Sequence, residues 1–196
     1  DGYFIESGWA SVGNEVKVPG VDSLWQVKGN RVLSEKSDVV LEWNNGKGLI
    51  FKKTIKLDKK YLFKIKQEVK NNTSSKINLY PYSQITRNKK PDDVMGFYIL
   101  HEGFIGVFDG ELKEDDYDDI KDKKIVRNSD NGWLGITDKY WVTAIVPPKD
   151  KNFKSTFLYK DNFRANYILN SPVSVNPKSS SENEVRLFVA AKEVET

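Results

Sequence analysis

Cysteine is absent from the 196 residues. That removes disulfides, thiolate nucleophiles and cysteine-based zinc sites together. It leaves the compartment open, because a β domain of this length needs no covalent staple. Histidine occurs once, at His101, and a single imidazole cannot build a multi-histidine metal site. Glu102-Gly103-Phe104-Ile105 follows it, which is not the H-E-x-x-H metal pattern. No nucleophile elbow, Walker loop or dinucleotide fingerprint is present. No stretch approaches the roughly 18 consecutive apolar residues of a membrane helix, and there is no signal-peptide pattern. An excess of charge is missing too: 31 basic residues face 28 acidic ones, so there is no electrostatic case for nucleic acid. No cofactor or metal is implied by these residues.

What is present is β sequence. Apolar residues make up only 38%, but aromatics at 12% each bury a large area, so a core is feasible. Residues 130–148 organise the rest. Their second half, 140–146, is apolar at both parities and reads as a central strand covered on both faces. Asn131-Gly132 marks a turn before it, and Pro147-Pro148 closes it. Residues 39–43 and 49–57 read as a hairpin. Residues 61–71 alternate cleanly, with Tyr61, Phe63, Ile65 and Val69 on one face and lysines opposite. Residues 76–87 read as an edge or bulged strand because Pro81 lies inside it, and residues 50–87 together as a meander. Residues 97–108 are expected to be apolar strand, 153–160 and 163–170 a hairpin, and 184–191 the last strand. Residues 1–30, 88–93 and 178–183 are expected to be irregular. A helical period is nowhere convincing, apart from one short turn within 120–126. The expected fold is all-β: two antiparallel sheets in one large sandwich over residues 1–196, with little helix.

Several features invite a functional reading and have a plainer one beside it. Trp9 and Trp25 suit sugar stacking, but large buried anchors of loops are commoner. The acidic run 114–124 lacks the glycine of a calcium loop and soon meets lysines, so it reads as a solvated loop. His101-Glu102 is conceivable as an acid–base pair, but reads more simply as a strand end in a glycine-flanked turn. The glycosylation triplets at Asn71 and Asn72 lie in a polar turn that generates them easily. Bottom-up reading therefore stops at a large, non-catalytic β-sandwich.

Two strings carry more than composition. Residues 100–110 read L-H-E-G-F-I-G-V-F-D-G, and residues 131–141 read N-G-W-L-G-I-T-D-K-Y-W. Together they resemble the periplasmic domain of the YidC membrane protein insertases, alphaproteobacterial members above all. The opening Y-F-I-E-S-G-W, the stretch from Val18-Pro19-Gly20 to Trp25, Ile85-Thr86-Arg87 and the closing V-R-L-F-V fit the same family. The resemblance covers essentially the whole chain. It implies a β-supersandwich with a galactose-mutarotase-like outline, in the periplasm, carried by an inner-membrane protein that inserts and helps fold other inner-membrane proteins. It implies as partners the Sec translocon, SecDF in particular, and nascent inner-membrane proteins. The family's insertion groove belongs to its membrane region, so none of its residues map here. The ends of the chain read as cut from something longer, with strands expected before Asp1 and helices after the last strand. A docking edge is expected around Tyr82, Arg87, Lys89 and Lys90, where a strand edge recruits a partner by backbone pairing. The alternative is a carbohydrate- or peptide-binding module.

Overall fold

Period-two alternation runs through most of the chain, and the backbone follows it. The computed structural model describes residues 2–91 and 101–192. In order these form β1 (Tyr3–Ser11), a 3-10 turn (Val12–Asn14), β2 (Gln26–Lys28), β3 (Val39–Asn44), β4 (Leu49–Leu57), β5 (Leu62–Asn71) and β6 (Ile77–Arg87). Then come β7 (Gly103–Phe108), β8 (Glu111–Asp116), α1 (Tyr117–Asp122), β9 (Ile125–Ser129), β10 (Gly132–Thr137) and β11 (Trp141–Val146). The last are β12 (Phe153–Lys160), β13 (Asn162–Leu169), β14 (Val173–Val175) and β15 (Ser179–Ala191). Among the described residues, nine strands form one antiparallel sheet in the order β2-β3-β4-β5-β15-β11-β10-β7-β8. Six form the other, in the order β1-β6-β13-β12-β9, with β14 beside β6. The expected all-β two-sheet sandwich is the fold found.

β11 sits inside the larger sheet, between β15 and β10. Thr143 and Ile145 are buried on one face and Ala144 on the other, as a strand covered on both sides requires. Trp141 departs from that expectation: it is the first residue of β11 and is 52% exposed.

Other expectations are corrected. The opening segment is irregular only in part: β1 pairs with β6 along its whole length, from Tyr3↔Arg87 to Ser11↔Leu79, while most of the chain between β1 and β2 has no regular structure. The pattern of β1 is hidden by Ser7 and Gly8 in mid-strand, both buried. The polar stretch before the last strand belongs to β15, which pairs with β5 from Ser179↔Asn71 onward. The meander breaks at β6, which leaves the larger sheet for the smaller one. β6 is also not an edge: β1 flanks one side and β13 and β14 the other. Pro81 is tolerated because β13 pairs only as far as Tyr82 and β14 takes over at Leu79. The missing N–H falls where that flank changes partner. The acidic run is half strand and half helix: β8 ends in it, and α1 buries Tyr117 and Ile120. Tyr61 takes a positive φ of 58° in the β4–β5 turn and faces out instead of joining the core. The expected strand from Phe97 is described only from Gly103; residues 92–100 lie outside the described residues.

Two apolar clusters fill the sandwich. The larger is rich in rings, with Phe104 against Tyr117, Phe157 and Phe163, and Tyr117 against Phe163, at centroid distances of 4.7–6.1 Å. The smaller holds Trp9, Leu49, Phe51, Val69, Ile77, Leu79 and Val175. Between them runs a polar layer.

Candidate functional site

The four residues expected on one docking edge are separated by strand parity. Along β6, Ile77, Leu79, Pro81, Ser83, Ile85 and Arg87 are buried on the inward face. Tyr82 lies on the opposite face, half-buried, with its ring against Gly8 of β1: a Cβ on Gly8 would stand 3.0 Å from the Tyr82 ring and hydroxyl. Burial first, then the Glu6 carboxylate, raises the Tyr82 pKa. Arg87 is 5% exposed and belongs to the core. Lys89 and Lys90 follow β6, and Lys90 donates to Asp118 of α1 at 2.7 Å.

Arg87 leads to the densest cluster of ionisable groups among the described residues. Its Nε donates to Asp138 Oδ2 at 2.9 Å, and its guanidinium lies 4.8 Å from the Tyr3 ring centre. The Tyr3 hydroxyl donates to the same carboxylate oxygen at 2.5 Å, and the Tyr117 hydroxyl to Oδ1 at 2.5 Å. One carboxylate thus ties β1, β6, α1 and the β10–β11 turn together. Burial opposes the Arg87 charge, but Asp138 together with Tyr3 and Tyr117 more than compensates and the pKa rises. Burial and the nearby Asp138 push both tyrosine hydroxyls far above their ordinary range. The groups satisfy one another and none is poised as a nucleophile or a base. This is a lock between elements. Sequence reasoning missed Asp138, Tyr3 and Tyr117. The parity of β6, with Arg87 in step with Ile85 and Ser83, was the available signal.

The polar layer is assembled by register. On the larger sheet Lys53, Gln67 and Asn183 stand side by side across β4, β5 and β15. On the smaller sheet Ser7, Ser83, Tyr167 and Ser155 do the same across β1, β6, β13 and β12. Ser7 and Ser83 share a hydroxyl hydrogen bond at 2.8 Å, and Lys53 donates to the Ser7 carbonyl, joining the two rows. The Lys53 ammonium also lies 5.0 Å from the Trp25 ring centre. Burial lowers the Lys53 pKa, with Glu6 opposing. Both amide atoms of Gln67 and the Nδ2 of Asn183 are buried without a hydrogen-bond partner.

An open cleft of about 620 Å³ lies at one end of the sandwich, over Val16, Val18, Leu49 and Ile77, with Glu15, Lys17 and Lys47 at its rim. Asn71 builds that end: its Nδ2 donates to the carbonyls of Ser75, Val175 and Asn176. No tryptophan lines the cleft; Trp9 is buried in the smaller cluster. His101 is tied down by its Nε2–H, which donates to the Phe104 carbonyl at 2.8 Å. Among the described residues no three His, Asp or Glu side chains converge as metal ligands would. No helix among them is long and apolar enough to cross a membrane.

Comparisons with known proteins agree with this architecture. The family model described as YidC periplasmic domain matches residues 1–196. The membrane protein insertase YidC of Pelagibacter ubique is 46% identical over 194 residues, covering 99% of this chain and 35% of that protein. The YidC proteins of Brucella suis and Bradyrhizobium diazoefficiens are 39% and 40% identical, with 33% and 32% of their lengths covered. The chain therefore spans about a third of the curated relatives it matches. Among solved structures, a galactose mutarotase-like protein from Clostridium acetobutylicum aligns with a TM-score of 0.58 at 11% identity, over 96% of this chain and 79% of that one. An α-galactosidase from Geobacillus stearothermophilus aligns at 0.54 and 11% identity, over 98% of this chain and 28% of that one. At such identities these two neighbours speak for the fold alone. The match along all 196 residues and the identities to named relatives make this chain a member of the YidC periplasmic domain family.

Proposed function

We propose that this domain serves a membrane protein insertase as a rigid, non-catalytic platform on the periplasmic side, docking a component of the Sec translocon such as SecDF. The substrates in this reading are nascent inner-membrane proteins, handled by the whole protein. The observation that carries the non-catalytic part is the Arg87–Asp138–Tyr3–Tyr117 cluster: among the described residues, the most concentrated ionisable chemistry is spent inside, holding both sheets together. The docking surface in this reading is the loop after β6, with Lys89 and Lys90, together with the outer face at Tyr82. Arg87 supports that loop from behind and does not touch the partner.

Site-specific crosslinking to SecDF from Lys89, Lys90 and Tyr82 tests it in membranes that hold the full-length protein. Paired reversal of Lys89→Glu and Lys90→Glu is expected to weaken capture about tenfold or more. Capture unchanged by the pair, and by Tyr82→Ser, would remove this surface. Arg87 is the wrong residue to reverse, because stranding Asp138 in the core costs about 3–5 kcal/mol and unfolding would masquerade as lost docking. The alternative, a carbohydrate- or peptide-binding module, draws on the open cleft beside Leu49 and Ile77. Calorimetric titration with sugars and with extended peptides separates the two readings: heat lost on Ser75→Trp, an exposed position in the cleft lining, supports the module, and no heat supports the platform.

A further inference from the structure

The sequence holds two Asn-Gly pairs, Asn45-Gly46 and Asn131-Gly132. An asparagine before a glycine is open to attack by its own chain. The glycine nitrogen lies within reach of the asparagine Cγ, and no Cβ stands in the way. Both pairs sit in strand connections, but they are held in opposite ways.

Asn45 is locked at 8% exposure. Its Nδ2 donates to the Lys17 carbonyl at 3.1 Å, and its Oδ1 accepts the N–H groups of Lys47 and Leu49 at 2.8 and 3.0 Å. The attacking nitrogen is engaged too, since the Gly46 N–H donates to Asn44 Oδ1 at 2.8 Å. Neither reacting group turns toward the other without breaking these bonds.

Asn131 is the reverse. It is exposed, and its carboxamide has no hydrogen-bond partner among the described residues, so that side chain rotates freely. What is held is its backbone. The β7–β8 turn lies beside this one, and the Asp109 N–H donates to the Asn131 carbonyl at 3.0 Å. Ser129 Oγ lies 2.6 Å from the same carbonyl oxygen and 2.9 Å from Asp109 Oδ1, and its one proton serves either. That carbonyl bears on the attack. The nucleophile is the Gly132 nitrogen after loss of its proton, and the charge spreads through the peptide group onto the Asn131 oxygen. Fixed donors stabilise such a charge without the reorganisation that water requires. The Asp109 carboxylate keeps its own charge and opposes it. Asp109 is exposed, however, so water screens that repulsion, while the two donors act in contact.

We infer that Asn131 is a site of spontaneous modification in the folded domain, converted through a succinimide to aspartate or isoaspartate. The Gly132 amide proton passes to hydroxide. Its nitrogen then bonds to Asn131 Cγ, and the side-chain nitrogen leaves as ammonia with a proton from water. Water opens the ring at either carbonyl, and nothing is oxidised or reduced. The product sets a new carboxylate beside Asp109 and Asp130 at the entrance to β10. The isoaspartyl form also adds a methylene to the main chain there. The fold cannot discard the glycine: at its φ of +143°, a Cβ on Gly132 would stand 1.9 Å from the Val107 carbonyl oxygen. The vulnerable pair is therefore kept by strand packing.

Ageing the 196-residue chain in mildly alkaline buffer, followed by proteolytic mass mapping, tests the inference. The peptide holding Asn131 is expected to gain about 1 Da, as an amide becomes a carboxyl, and to be labelled by an isoaspartyl methyltransferase. The peptide holding Asn45 is expected to convert about tenfold or more slowly, because that turn must open first. In urea, with both turns unfolded, the two rates are expected to converge. Asn131→Ser is expected to abolish the gain. Ser129→Ala is expected to slow it about tenfold, since one of the two donors is lost. A turn merely loosened by that change would convert faster, so the sign separates lost stabilisation from lost structure. An Asn131 that stays unconverted in the folded chain overturns the inference. So does Asn45 converting at an equal rate there, or Ser129→Ala leaving the rate unchanged or raising it.

Discussion

Asp138 has both carboxylate oxygens engaged before any solvent reaches it. Tyr3 and Arg87 share one oxygen, and Tyr117 takes the other. The arrangement makes stability depend on alkaline pH with a definite sign. Tyrosine titrates near 10.0 in an unfolded chain, and burial with Asp138 raises Tyr3 and Tyr117 in the folded one. A group whose folded pKa is raised contributes fully below its unfolded value and loses that contribution as pH rises above it. Tyr167, raised by burial with Asn183 opposing, adds to the same slope. Lys53 acts the other way: burial lowers its pKa, so folding gains as pH climbs toward 10.5, but one lysine stands against four raised tyrosines, Tyr82 among them. The thermal midpoint, followed by circular dichroism, is expected to fall between about pH 9 and about pH 11, and Tyr117→Phe to flatten that fall. An equally steep fall in Tyr117→Phe would place the titration elsewhere. Arg87's inward orientation was legible, since it keeps step with Ile85 on an alternating strand. Its partner was not: Asp138 lies 51 residues away in sequence, on a turn whose position only the tertiary fold sets.

At the scale of elements, the sequence showed faces better than partners. β4, β5, β12 and β13 were legible because alternation marks the buried face directly. β1 and the first half of β15 were not, because small or polar residues occupy inward positions there. Those exceptions are the polar layer itself: Ser7 in β1, Gln67 in β5 and Asn183 in β15. The break between β5 and β6 was also hidden, since the same amphipathic strand satisfies either sheet. Gln67 is the clearest anomaly, an amide at zero exposure between Ile65 and Val69 with neither polar atom bonded. An unpaired buried amide costs about 1–3 kcal/mol. Gln67→Met keeps the volume and removes the polar atoms, so urea unfolding is expected to show a gain of about 1 kcal/mol. A loss of stability would mean that the amide is holding the layer together.

For the whole molecule, the consequence of the polar layer is uneven stability. Among the described residues the larger cluster contains 16 buried residues and the smaller 7, so the smaller has fewer contacts to lose. Ring-rich packing, the Asp138 lock and α1 all reinforce the larger one. A boundary crossed by few apolar contacts is where local opening becomes possible short of global unfolding. The smaller cluster, with the cleft end built on Asn71, is the half expected to open first. Two truncations separate this from all-or-none behaviour. Leu79→Ala creates a cavity in the smaller cluster and Phe157→Ala one in the larger, each costing about 2–5 kcal/mol. Native-state hydrogen exchange reads the result amide by amide. If the smaller cluster opens alone, Leu79→Ala lowers both its opening free energy and the global one. Phe157→Ala then lowers only the global one, because the larger cluster stays intact during the partial opening. If the sandwich is a single cooperative unit, both truncations accelerate the slow amides of both clusters equally, and the polar layer is no boundary at all.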